Sequence, residues 1–159
     1  MKTEVSNRQT ILPLQQQAIK RLLEWTMNKA AELEPARVWE QVSLVLMDDE
    51  GIRGVNAAYL NRDKATDVIS FAYDPLPGEA GMSGEVIVNV QRATEEGIAR
   101  STGVPRELAL YIMHGCLHLT GADDADADGR AFMDATQATW LDAAHDAGML
   151  EELTAGEKG

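Results

Sequence analysis

Two histidines, a glycine and a pair of aspartates carry the clearest chemical signal in the chain. His114 and His118 lie four residues apart in the stretch H-G-C-L-H-L-T-G-A-D-D, His114 to Asp124. On an α-helix that spacing sends both imidazoles off one face, one turn above the other, within reach of a single small ion. Gly121 accepts the left-handed backbone that ends a helix, so the chain can turn back toward the face it has just left. Asp124 then returns as a third candidate ligand. Three protein ligands leave the fourth position of a tetrahedral zinc ion open, as chemistry requires and a structural clip does not.

The same letters follow the spacing H-x-x-x-H-x-x-G-x-x-(H/D) of zincin-type sites. Zinc peptidases of that type carry a Glu as general base directly after the first His, whereas this chain has Gly115, so peptide hydrolysis loses its usual base. A structural reason for Gly115 is close packing of the helix on a strand, despite a helix cost of about 1 kcal/mol. Asp123 is placed to orient a ligand histidine through its ring N–H. Cys116 points to another helix face and reads as a small core residue, and His145 reads as surface. Asp126 and Asp128 read with Asp123 as a solvated acidic turn leading a helix, because the glycine and glutamate of a calcium loop are missing from that register. Asp67 reads equally as a turn residue and as part of the site.

Behind these residues stand the elements that must hold them. Thr3 to Leu12 alternates like an edge strand, and Leu14 to Leu33 repeats apolar residues at helical spacing. Val38 to Met47 alternates as a strand with Val42, Leu44 and Leu46 on one face and Val45 on the other. Asp48 or Asp49 caps a short helix from Gly51 to Leu60 that is expected to bury Ile52, Val55 and Tyr59. Val68 to Phe71 and Glu85 to Val90 read as strands, and Gln91 to Arg100 as a polar helix. The Pro- and Gly-rich Asp74 to Ser83 reads as a loop beside the cleft. Pro105 opens the metal helix at a tolerated first-turn position. The last helix, Asp128 to Ala147, is expected to stack Phe132, Ala135 and Leu141 inward. The whole indicates an α+β fold, a zincin-like α/β sandwich with a mixed sheet of about four strands and the metal site on a central helix. One domain is expected over residues 1–150 and a flexible tail over residues 151–159.

Composition narrows the function. The chain has 159 residues, 45% of them hydrophobic, and one cysteine, which excludes an internal disulfide. Met1 to Lys20 lacks the apolar core of a signal peptide and no apolar run is long enough to span a membrane, so a soluble cytoplasmic protein is expected. A net charge of −12 opposes binding to phosphate backbones unless positive charge is concentrated locally or borrowed from a partner. Arg53, Arg62, Lys64, Arg92, Arg100 and Arg106 bracket the motif region and would have to supply it.

The motifs also carry a family resemblance. H-G-C-L-H-L-T-G-A-D-D resembles the H-G-x-L-H-L-x-G-Y-D-H signature of the YbeY family of bacterial metal-dependent endoribonucleases. N-A-A-Y-L-N-R-D-K-A-T-D-V-I-S-F, Asn56 to Phe71, resembles the family's N-x-x-Y-R-x-K-D-x-x-T-D-V-L-S-F, and Gly84 to Val88 resembles its G-D-I-x-I strand. The resemblance implies a zinc-dependent single-strand endoribonuclease with one Zn2+ per chain, acting in 16S rRNA 3′-end maturation and ribosome quality control. Ribosomal RNA and the small ribosomal subunit would be its partners. Three departures bear on that expectation. Asp124 stands where the family has its third His, which lowers the charge of the site and weakens a metal as Lewis acid. Ala122 replaces a Tyr, and Leu60 replaces the Arg implied to hold RNA phosphate, leaving Arg62 and Lys64 as RNA-contacting cations. The nucleophile, metal-bound hydroxide or a ribose 2′-hydroxyl, and the general base stay open. So do two other readings, a zinc hydrolase of another substrate and a ribosome-associated binding protein with a structural metal.

Overall fold

Period-two alternation in one strand sets the layers. In β2, Trp39–Met47, the side chains of Val42, Leu44 and Leu46 are fully buried on one face of the sheet, and Val45 packs on the other. The computed structural model describes residues 1–154. In it β2 is flanked by β1, Lys2–Asn7, and β4, Met82–Asn89, both parallel to it. The last strand, β3, Val68–Tyr73, runs antiparallel to β4, giving the order β1-β2-β4-β3 with β1 and β3 as edges.

Helices cover the two faces unequally. α1, Gln16–Leu33, buries Ile19, Leu22, Leu23, Met27 and Ala30 in the main core, as its apolar spacing predicts. α2, Asp49–Leu60, lies on the opposite face, where Ile52 packs with Val45, Ile69 and Ile87. Asp48 caps it by accepting a 2.8 Å bond from the Gly51 N–H. α3, Val90–Ala99, leads to α4, Val104–Leu119, which carries both histidines through the middle of the main core. α5, Ala127–Asp146, packs outside α4 and is capped by Asp126.

Gly115 determines how closely α4 approaches the sheet. A Cβ there would overlap Val86 Cγ1 and crowd Val68 Cγ2 at 3.0 Å and Ser70 Oγ at 3.1 Å. The Ser70 hydroxyl donates to the Gly115 carbonyl at 2.9 Å, so helix and edge strand are in direct contact at the residue between the two ligands' turns.

The structure corrects several expectations. Tyr59 is 74% exposed: near the C-terminal end of α2 it meets the sheet edge-on at Phe71 and is not covered by it. Phe132 is 48% exposed and the inward face of α5 is Met133, Gln137, Trp140, Leu141 and Ala144. Residues 151–153, read as the start of a tail, form a 3-10 turn whose Leu153 is fully buried and whose carbonyl accepts from the Gln15 N–H at 2.8 Å. Residues 155–159 of that expected tail lie outside the described residues. No helix of the described residues is long and apolar enough to cross a membrane.

Replacing Gly115 by Ala gains helix propensity of about 1 kcal/mol but forces overpacking that costs roughly 1–3 kcal/mol. We therefore expect G115A to be less stable in urea unfolding followed by circular dichroism. Unchanged or increased stability would mean that α4 can back away from β4.

Candidate metal centre and its cleft

The turn after α4 brings its three candidate ligands together. Gly121 adopts φ +95°, its N–H bonds to the His118 carbonyl at 3.0 Å, and the chain reverses. Arg37 fixes this end of the helix by donating to the Leu119 carbonyl at 2.6 Å, where the helix dipole favours a cation. His114 Nε2 and His118 Nε2 are then 3.0 Å apart, and the Asp124 carboxylate lies 3.7 Å from the first and 4.0 Å from the second. One ligand atom from each of the three residues falls within 4.8 Å of the others. Tetrahedral zinc bonds of about 2.0–2.2 Å place ligand atoms about 3.3 Å apart, so this donor set fits such an ion with small adjustments. All three side chains are partly exposed, which leaves an approach for substrate.

Both rings are held by their other nitrogen. His118 Nδ1 lies 3.0 Å from the Ala122 carbonyl oxygen, which can only accept, so Nδ1 carries a proton and the neutral ring would offer its lone pair at Nε2. His114 Nδ1 lies 2.7 Å from Oε1 of Gln137, which is 6% exposed and reaches across from α5. With the amide oxygen facing the ring, the neutral His114 would likewise offer its Nε2 lone pair to an ion between the two rings. Asp123 does not fill the orienting role expected of it: its carboxylate accepts from the Ala125 N–H at 2.9 Å and stays in the exposed turn. Gln137 was missed because a glutamine midway along a helix reads as a surface residue. Its place four residues after buried Met133 was the available signal.

The two histidines lie in a cleft of about 620 Å³. Its other walls are the inner side of β3, the segment from Arg62 to Asp67, and Asn56 and Leu60 of α2. Loop residues 74–81, expected beside the cleft, do not line it. Two buried asparagines position the 62–67 segment. Asn56 donates to the Lys64 carbonyl at 2.9 Å and its own carbonyl accepts from the Arg62 N–H at 3.2 Å. Asn89, fully buried, donates to Asp49 and to the Thr66 carbonyl. Asp67 uses one carboxylate oxygen on the Val68 N–H at 2.8 Å, as a turn residue does, and still lines the cleft.

The expected basic groove is narrower than six cations. Arg53 is paired with Asp63, Arg100 with Glu96 and Glu107, and Arg106 with Asp142. Arg62 and Lys64 line the cleft and form no ion pair among the described residues. Arg92 lies on the far side of His114, in a small recess with Asp67, Tyr111 and Gln137. Leu60 lines the cleft as an apolar patch.

Comparison with known proteins follows the same residues. The sequence profile of the family described as Endoribonuclease YbeY matches residues 4–145. A relative from Moorella thermoacetica named Endoribonuclease YbeY is 32% identical over 146 residues, spanning 86% of this chain and 93% of its own. One of the same name from Listeria monocytogenes is 34% identical over 137 residues, spanning 78% and 85%. The solution structure of TM1509 from Thermotoga maritima superposes with a TM-score of 0.61 at 20% identity, over 99% of this chain and all of that one, a likeness of fold.

Two outcomes are expected. Gln137→Leu should leave the fold intact and weaken zinc binding roughly 10–100-fold in a competition titration, while Gln137→Glu, which keeps an acceptor, should bind within a few-fold of wild type. Equal affinity of the leucine variant would show that His114 needs no such partner. Burial pushes the Cys116 thiol up to about 12, so at pH 8 it stays protonated. Iodoacetamide should modify it only after unfolding, and rapid native alkylation would contradict the packing.

Proposed function

This chain belongs to the YbeY family, and from that premise we propose that it is a zinc-dependent, single-strand endoribonuclease acting in 16S rRNA 3′-end maturation and ribosome quality control. The observation that carries the nuclease reading is the convergence of Asp124 on His114 and His118, two histidines that line a cleft which also receives Arg62 and Lys64. Metal ligands and unpaired cations in one cleft suit a phosphodiester. The missing side chain at Gly115 does not suit a peptide substrate, which would need a base there.

The chain's own residues supply binding and orientation. His114, His118 and Asp124 are the residues that would hold the ion, and one Zn2+ per chain fits their donor set. When bound, zinc supplies Lewis-acid polarisation of a phosphodiester oxygen and a lowered pKa for water. Gln137 and the Ala122 carbonyl keep both imidazole lone pairs directed at the ion's position. Arg62 and Lys64 neutralise flanking phosphates and fix the register of the strand without reading its sequence. Asp124 in place of a third histidine puts an additional negative charge beside the substrate, and Leu60 removes one phosphate contact. Both changes favour weaker RNA binding than a site with His and Arg there. A domain of this kind would meet its RNA within the small ribosomal subunit, where basic ribosomal proteins offset a chain of net charge −12.

Metal analysis of protein purified without chelator tests the centre. Near-equimolar zinc that is lost in Asp124→Ala, together with loss of cleavage of a single-stranded RNA, is the expected result. Zinc-free, RNA-inactive wild type would overturn the proposal. Leu60→Arg should strengthen RNA affinity at low salt and steepen its logarithmic salt dependence by about 0.7 for one added phosphate contact. An unchanged slope would mean that the RNA does not pass this wall.

A further inference from the structure

A second groove lies on the far face of the edge strand that walls the metal cleft. It holds about 230 Å³. Ile87 is part of its floor, Tyr59, Phe71 and Tyr73 form its aromatic wall, and Glu85 and Arg8 add charged groups. Phe71 and Tyr73 are stacked at 6.4 Å and 25°, and Tyr59 meets Phe71 edge-on at 6.1 Å. Tyr59 and Tyr73 are both more than half exposed, an uncommon way to leave two large rings unless something covers them. Partial burial together with the neighbouring Glu85 and Tyr59 raises the Tyr73 phenol above its usual range, and all three residues line the groove.

The groove and the metal cleft share a rim. Ser70 and Ala72 of β3 point into the cleft, while Phe71 and Tyr73 between and beyond them point into the groove. Adjacent residues of α2 divide in the same way, Leu60 lining the cleft and Tyr59 the groove. β3 is an edge strand, so no further strand separates the two.

We infer that this groove takes an unpaired base of the RNA whose phosphate backbone lies in the metal cleft, with the strand crossing the free edge of β3. The inference rests on the nuclease reading above. Aromatic faces bind any base by stacking, and a carboxylate beside them accepts from the exocyclic amine of cytosine, adenine or guanine. Uracil has no such amine and is expected to bind less well. Arg8 provides a cation on this side, as Arg62 and Lys64 do in the cleft, in a chain that is otherwise strongly acidic. An apolar peptide side chain would leave Glu85 and Arg8 without partners at the groove, whereas a base has donors and acceptors for both.

The test uses the full-length protein and short 2′-O-methyl RNA strands, which bind without 2′-hydroxyl chemistry, with 2-aminopurine moved through each position. Wild type should bind and quench the fluorophore at one or two positions. Tyr59→Ala/Tyr73→Ala should lose that quenching and bind roughly tenfold more weakly. Tyr73→Phe should behave as wild type, and the metal content of every variant should be unchanged. Wild type that binds RNA while the double variant binds equally well overturns this inference and leaves the nuclease reading intact. If the double variant alters only self-association in sedimentation, the groove is a chain-to-chain contact and the inference also fails. Wild type that binds no single-stranded RNA overturns both.

Discussion

The contact between α4 and the sheet at Gly115 is the constraint from which the site follows. With no side chain at this position, the helix backbone comes close enough for its carbonyl to accept from Ser70 on the edge strand. That depth fixes how far His114 and His118 stand above β3, and so the width of the cleft between them and the Arg62 to Asp67 segment. A larger residue would lift the helix and with it both ligands. The position that a zinc peptidase gives to its general base is here occupied by packing, and one helix cannot do both at this separation.

Around that contact the site is built from polar groups whose partners are nearly all within the protein. Asn56 and Asn89 are buried and tie the cleft segment to α2 and to the start of α3. Gln137 and a backbone carbonyl hold the imidazoles, and Arg37 neutralises the end of α4. Buried amides of this kind must be paired to be tolerated, so they define one arrangement of the loops they join. Against this background Arg62 and Lys64 stand out as cations that line the cleft without an ion pair among the described residues.

Much of this was legible in the chain. Alternation in β2 gave its faces, Asp48 marked the start of α2, and the His-Gly-Asp spacing brought three candidate ligands to one point because helix pitch and a left-handed glycine are local geometry. What escaped was settled by tertiary contacts. Gln137 is polar yet faces inward because its partner is a histidine on another helix; on the same helix Phe132 and Ala135, expected inward, are exposed, whereas Leu141 is buried as expected. Tyr59 has the spacing of a buried residue on α2, but it meets the sheet edge-on at Phe71 and stays largely exposed. Leu153 sits among acidic residues, and only the hollow beside Gln15 makes it core. The outward stack of Tyr59, Phe71 and Tyr73 depends on which strand is the edge, which no local pattern records.

The compactness of the ligand set has a thermodynamic consequence. His114, His118 and Asp124 lie within eleven consecutive residues, so the denatured chain keeps a flexible chelator of the same three groups. Metal that binds both states stabilises the native one only by the difference in affinity between them. What distinguishes the native state is then the set of distant groups, Gln137 and Arg37, that lock the ligands in place. Any metal ion held there should thus raise the unfolding temperature less than its native affinity alone would give, and leave resistance to heat to depend mainly on the core.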